Sequence, residues 1–334
     1  MRGYRFYDAC INRLAGGFED VAALEEKLRR PGRIQIANRR QAGFVLPAAM
    51  FYDQPLDTGL ETLGLCPEFR AALDAEVPLE SSRCFEGDCP SHGDLAVVCP
   101  SGFWGFRHFL GLPLSLGEEP AGDAAVFESI EVVGRPKISL AVSTDPMFVG
   151  RADHEARLRA LGADLTWQYA DTREETLRLL RESPGHVVYF YCHGGLTATN
   201  VPYLTVGPPG EAGIPSDIFR AMRIRWTRPR PLVFINGCHT TALSPEQALN
   251  FPARLVENAA AAGVIGTEIT NFEPLASAFA EECLRRFLSG ESIGEAVRGA
   301  RLALLARGNP LGLIYVPFVL PSVRLARGSQ SETR

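Results

Sequence analysis

Pro231-Leu232-Val233-Phe234-Ile235-Asn236-Gly237-Cys238-His239-Thr240 is a short β-branched and aromatic run that ends in Asn-Gly and then a cysteine. Its counterpart upstream is His186-Val187-Val188-Tyr189-Phe190-Tyr191-Cys192-His193-Gly194-Gly195, another apolar run, closed by His-Gly. Each predicts a buried strand of a parallel sheet bounded by turn residues. In open α/β sheets, ligands sit just beyond the carboxyl ends of the strands. Both strands therefore deliver a reactive side chain to the same edge, Cys238 from one and His193 from the other. A thiol and an imidazole there are the parts of a nucleophile and its proton-handling partner.

Each residue alone has a plainer explanation. A strand cysteine is commonly a buried apolar side chain, and a lone histidine is commonly structural. The matched positions at the ends of two apolar strands favour the pair. Cys192 is a rival nucleophile by adjacency, but neighbours on a strand point to opposite faces, so Cys192 and His193 cannot form a dyad and Cys192 is expected in the core. His239 is disfavoured as a base on related grounds.

The surrounding chain is ordinary in bulk. It has 334 residues, 46% apolar and 22% charged, with a formal net charge of −5. That length allows one large or two ordinary domains, and the mild negative charge gives no electrostatic case for nucleic acid or an acidic membrane. No apolar run reaches the ~20 residues of a membrane span, and the N-terminus has no signal-peptide core. The expected location is the cytoplasm. The arginine, alanine, glycine and proline load suggests a bacterial source.

From Ile138 onward strands and helices alternate: strands at 138–142, 165–169, 187–192, 203–206, 232–235 and 264–269, helices at 152–161, 173–181, 216–222, 251–262, 274–288 and 293–306, and a final edge strand at 313–320. Connections too long for hairpins predict a mixed or parallel sheet covered by helices on both faces. Before that the pattern is irregular. A helix is expected over 19–30, a short strand broken by Pro47 within 41–57, a short helix over 66–75 and a loop over 81–100. The aromatic group from Phe103 to Phe109 is expected to be core. Two domains follow, an N-terminal regulatory or docking region at 1–125 and an α/β domain at 126–325.

Eight cysteines are too few and too irregular for a disulfide scaffold. Cys84, Cys89, His92 and Cys99 (Cys-x4-Cys-x2-His-x6-Cys) are of the types that suit a structural zinc site. The first spacing is wider than the usual knuckle, and buried thiols or a redox-sensitive loop are the alternatives.

The two strand ends, FYCHGG and PLVFINGCHTT, together with Gly263-Val264-Ile265-Gly266-Thr267 and ASAFAEECLRRFLSGESIGEAVRGAR, resemble the caspase-like cysteine peptidases of clan CD, and in detail the CHAT subgroup. The resemblance is strongest over 138–320; Val45 to Asp53 is similar to a Pro-containing strand early in such domains. It implies a caspase-like sheet and a cysteine endopeptidase with a His193/Cys238 dyad, an oxyanion hole from the backbone N–H groups of Gly194 and Cys238, and no cofactor for catalysis. It places the residue-selecting pocket near Asp217, Thr267 and Glu268, where a carboxylate would suit a basic residue before the cut; a solvated or capping carboxylate is the plainer alternative. It further implies a protein substrate, a gasdermin-like pore-former among the candidates, an activating partner, and a role in bacterial antiviral defence or cell death. The rival expectation is a non-catalytic caspase-like scaffold that binds a partner protein. No Gly-x-Gly-x-x-Gly follows the first regular strand, which argues against a dinucleotide enzyme.

Overall fold

The computed structural model describes residues 2–39, 45–115, 128–237, 250–267 and 273–327. The chain forms two compact units, each assembled from separate stretches. Unit 1 takes residues 1–34, 47–110 and 297–313; unit 2 takes 35–46, 111–296 and 314–334. The expected boundary near residue 125 is not where the units divide, because a segment almost two hundred residues downstream joins the first.

Unit 1 contains α1 (Arg2–Ala15), α2 (Phe18–Leu28) and α3 (Pro67–Asp74). Helix α1 buries Tyr7 and Ile11, four residues apart and so on one face. Tyr7 and Phe51 both meet Trp104 edge-on, with ring centroids 5.7 and 5.1 Å away. Trp104 opens a one-turn helix, Trp104–Arg107. So short a helix cannot satisfy its own last carbonyls. Buried arginines from the 297–313 segment do so instead: Arg298 Nε donates to the Phe106 carbonyl at 2.9 Å, and Arg301 Nη1 to that of Gly105 at 3.2 Å. These bonds explain why that segment belongs to unit 1. The aromatic stretch is core, as expected: Trp104 and Phe106 are buried. The strand expected within 41–57 is absent from the described part of that stretch, which instead makes a 3-10 turn at Ala48–Met50. Pro47, with no N–H to give a ladder, stands at the head of that turn.

Unit 2 is built on an eight-stranded sheet. Its strands are β1 (Lys137–Val142), β2 (Thr166–Ala170), β3 (Val187–Leu196), β4 (Pro202–Thr205), β5 (Ile214–Pro215), β6 (Leu232–Gly237), β7 (Gly263–Thr267) and β8 (Tyr315–Phe318). The main order is β2-β1-β3-β6-β7-β8. Strands β2, β1, β3, β6 and β7 run parallel and β8 closes the edge antiparallel. Central parallel strands are covered on both faces, which is why β3 and β6 read as continuous apolar runs.

The helices follow from the handedness of the crossovers. The chain steps one way from β1 to β2 and the other way from β6 to β7. Right-handed connections then put α4 (Arg151–Arg159) and α6 (Asn250–Glu257) on opposite faces. Helix α7 (Glu273–Leu288) shares the α4 face, where His154 meets Glu281. Helix α5 (Arg173–Glu182) shares the α6 face, where Trp226 Nε1 donates to the Leu180 carbonyl and its backbone N–H to that of Ala259. Helix α8 (Ile293–Ala306) opens with a capping box, Ser292 and Glu295 bonding reciprocally. The α/β class read from the sequence, with helices on both faces, is what the chain forms.

Candidate active site

The site is built at the carboxyl end of β3. Up to Cys192 this strand pairs in parallel with β6, Cys192 standing opposite Gly237. From His193 it pairs antiparallel with β4, His193 opposite Thr205 and Gly194 opposite Leu204. His193 is thus the residue at which β3 changes partners. Alternation puts Tyr189, Tyr191 and His193 on one face, and Cys192 on the other. Cys192 is buried, as expected, whereas the His193 side chain is about a third exposed, 35%.

The imidazole has a carboxylate beside it that the sequence reading missed. Nε2 of His193 lies 3.4 Å from Oδ2 of Asp145. Asp145 stands three residues beyond the end of β1, the strand next to β3. Its segment is fixed on several sides. The Ser143 N–H donates to the Tyr191 carbonyl at 2.7 Å, and that of Thr144 to the Gly207 carbonyl at 2.8 Å. Asp145 accepts from the Met147 N–H through Oδ1 at 2.8 Å, which leaves Oδ2 toward the histidine. Phe148 packs its ring 4.5 Å from that of His193 and 4.9 Å from that of Tyr191. Glu273, at the start of α7, accepts from the Gly150 N–H and from the Tyr191 hydroxyl, both at 2.8 Å. An imidazole held between a ring and a carboxylate, partly open to solvent, can take up and release a proton in a set orientation.

Beneath it runs a buried polar chain. Asn236, penultimate on β6, donates through Nδ2 to the Tyr189 hydroxyl at 2.7 Å and the Ala276 carbonyl at 2.9 Å. Its Oδ1 accepts from the Tyr315 hydroxyl at 2.7 Å. Tyr189 meets Nε2 of His154 at 2.8 Å, and His154 Nδ1 meets Glu281 at 2.6 Å. Burial alone would raise the Glu281 carboxyl, but hydrogen bonds from His154 and Arg157 overcome it and hold the group below its ordinary range. Burial also pushes the Tyr189 hydroxyl well up, so it stays protonated.

The other expected site residues are dispersed in role. Cys238, His239 and Glu268 lie outside the described residues. Thr267 is fully buried and donates its hydroxyl to the Gly237 carbonyl at 2.9 Å, so it braces the end of β6. Asp217 is exposed at the N-cap of the short helix Ile218–Ala221, with no side-chain capping bond. Gly194 is half-buried beside His193. A cavity of about 660 Å³, lined in part by Lys137, His186 and Arg228, sits at the opposite, amino-terminal end of the strands and away from His193. Of the expected metal set, Cys84, Cys89 and Cys99 come together, but with Cys66 and not with His92. No helix among the described residues is long and apolar enough to cross a membrane.

No protein-family profile matches the chain. A probable protease of Vitiosangium sp. is 47% identical over 338 residues, covering 99% of this chain and 44% of that protein. The chain therefore spans less than half the length of this relative. Among solved structures, the Saccharomyces cerevisiae separase–securin complex aligns at a TM-score of 0.42, with 13% identity over 75% of this chain and 15% of that one. The Arg-specific cysteine proteinase gingipain R aligns at 0.44, with 12% identity over 66% of this chain and 56% of that one.

Proposed function

We propose that this chain is a caspase-like cysteine endopeptidase of the CHAT type, with Cys238 as nucleophile and His193 as its proton carrier. The observation that carries this is the parallel register of β3 and β6, which sets Cys192 opposite Gly237. In sequence, the residues that follow these two are His193 and Cys238. Asn236 lies on the α4/α7 face with Tyr189 and Tyr191, and strand alternation puts His193 on that face too. The 47% identity to a probable protease across nearly the whole chain supports the peptidase part of this reading.

In this reaction the Cys238 thiolate attacks the scissile carbonyl carbon, and an oxyanion forms on its oxygen. Backbone N–H groups, those of Gly194 and Cys238, stabilise that charge. Collapse breaks the C–N bond as His193 gives a proton to the leaving amine. Water, deprotonated by His193, then hydrolyses the thioester and restores the thiol. Asp145 is a positioning residue: it engages Nε2 and leaves Nδ1 for the thiol. No metal or organic cofactor enters these steps. The family resemblance extends the proposal to one protein partner in a bacterial defence or cell-death pathway, a gasdermin-like pore-former among the candidates, and to a separate activator.

The test compares wild type with Cys238→Ala and His193→Ala on a mixed-sequence peptide library, mapping new termini by mass spectrometry. Cleavage by wild type only is expected, and the residue before the cut follows directly. Wild-type and variant proteins that are equally inert, with and without proteins encoded beside the gene, would instead favour the scaffold.

A further inference from the structure

Four cysteines of unit 1 converge, although they span residues 66 to 99. Their sulfurs all lie within 4.8 Å of one another, with Cys66 Sγ 3.7 Å from that of Cys89 and 3.9 Å from that of Cys84. A tetrahedron with metal–sulfur bonds of about 2.3 Å has edges of about 3.8 Å. A disulfide requires about 2.05 Å. All four residues are buried, from 0 to 7% exposed.

The chain is shaped to bring them there. A parallel pair, Gly64–Leu65 with Val97–Val98, continues into a bond from the Cys66 N–H to the Val98 carbonyl, and so sets Cys66 beside Cys99. Between Cys84 and Cys89 the chain reverses through Gly87, at φ +97°, where a Cβ would stand 2.6 Å from the Arg29 carbonyl oxygen. Only glycine fits that turn. Serine hydroxyls reach two of the four sulfurs. Ser91 donates its hydroxyl to Cys66 Sγ at 3.3 Å. Ser101 Oγ lies 3.1 Å from Cys99 Sγ while accepting from Gln54 Nε2 at 3.4 Å, so its own proton is directed at the sulfur.

We propose that Cys66, Cys84, Cys89 and Cys99 bind one structural zinc ion. Four soft sulfur ligands, all buried, suit a closed, non-catalytic zinc site. His92, which the sequence spacing favoured, stands outside this set. The ion would tie the start of α3, the turn at 82–89 and the entry to the Trp104 helix at one point. This segment holds little regular structure to pack, and here coordination would stabilise what a larger core does elsewhere.

The test is metal analysis of the full chain, purified without added metal or chelator. About one zinc ion per chain is expected. In wild type, titration with an organomercurial should release that zinc as about four thiols react, followed with a metallochromic dye. Cys66→Ser and Cys99→Ser should lose the ion and His92→Ala keep it. Substoichiometric zinc in wild type, iron in its place, or disulfides among these cysteines in non-reducing peptide maps would overturn the proposal. So would retention by Cys66→Ser together with loss by His92→Ala. The wild-type measurements need no variant to fold.

Discussion

Asp145 Oδ2 faces His193 Nε2 at 3.4 Å, across the end of two adjacent parallel strands. If Asp145 orients the imidazole, Asp145→Asn should lower kcat about tenfold or more and leave KM and the unfolding midpoint nearly unchanged. A substitution that acted only on packing would move the midpoint with the rate. Steady-state kinetics on a mapped peptide and a thermal melt separate the two.

Thr267 gives its hydroxyl to the carbonyl of Gly237, the last residue of β6. Both groups are buried. Thr267→Val keeps the shape and removes this buried bond, at a cost of about 1–3 kcal/mol. Thr267→Ser should recover most of it. Urea unfolding of the three proteins gives the comparison.

Asn236 makes three side-chain bonds beneath the site, to Tyr189, Tyr315 and the Ala276 carbonyl. Truncation to alanine removes three buried hydrogen bonds at once, and about 2–4 kcal/mol of stability should be lost. In a double-mutant cycle with Tyr315→Phe, a coupling of about 1 kcal/mol is expected. Strict additivity would mean that the chain does not act as a unit.

His108 is buried in unit 1, and burial, then the charges of Arg107 and Arg298, push its pKa down to about 3. It also accepts from Arg107 Nε, which requires a neutral ring. The unfolded chain protonates this side chain near pH 6.5, so between there and about 3 the unfolded state binds the extra proton. Stability present above pH 6.5 should therefore fall on acidification, by up to about 1.4 kcal/mol per pH unit. Urea midpoints at pH 7 and 5.5 for wild type and His108→Gln measure this, and the variant should lose part of the slope.

The parallel strands are legible because burial on both faces leaves unbroken β-branched and aromatic runs, and His193 stands at the carboxyl end of β3, where the sequence places it. Asp145 is not legible, although the sequence predicts the β1 strand at 138–142. A carboxylate three residues past a strand carries no periodic signal, and its meaning depends on which strand lies next door. Cys66 was hidden for a similar reason. Sequence adjacency favoured His92, whereas the pairing of Gly64–Leu65 with Val97–Val98 brings a distant cysteine closer. Helix α1 escaped notice because only Tyr7 and Ile11 are buried along fourteen otherwise half-buried or exposed positions.

Arg298 and Arg301 serve the carbonyls of Phe106 and Gly105, almost two hundred residues earlier. During synthesis on the ribosome, those carbonyls emerge long before their donors. Every strand from β1 to β7 has left the exit tunnel by the time the arginines appear. Unit 1 begins first and is completed nearly last, so a nascent chain halted anywhere before residue 298 carries an unfinished first unit, however much of the sheet it has made.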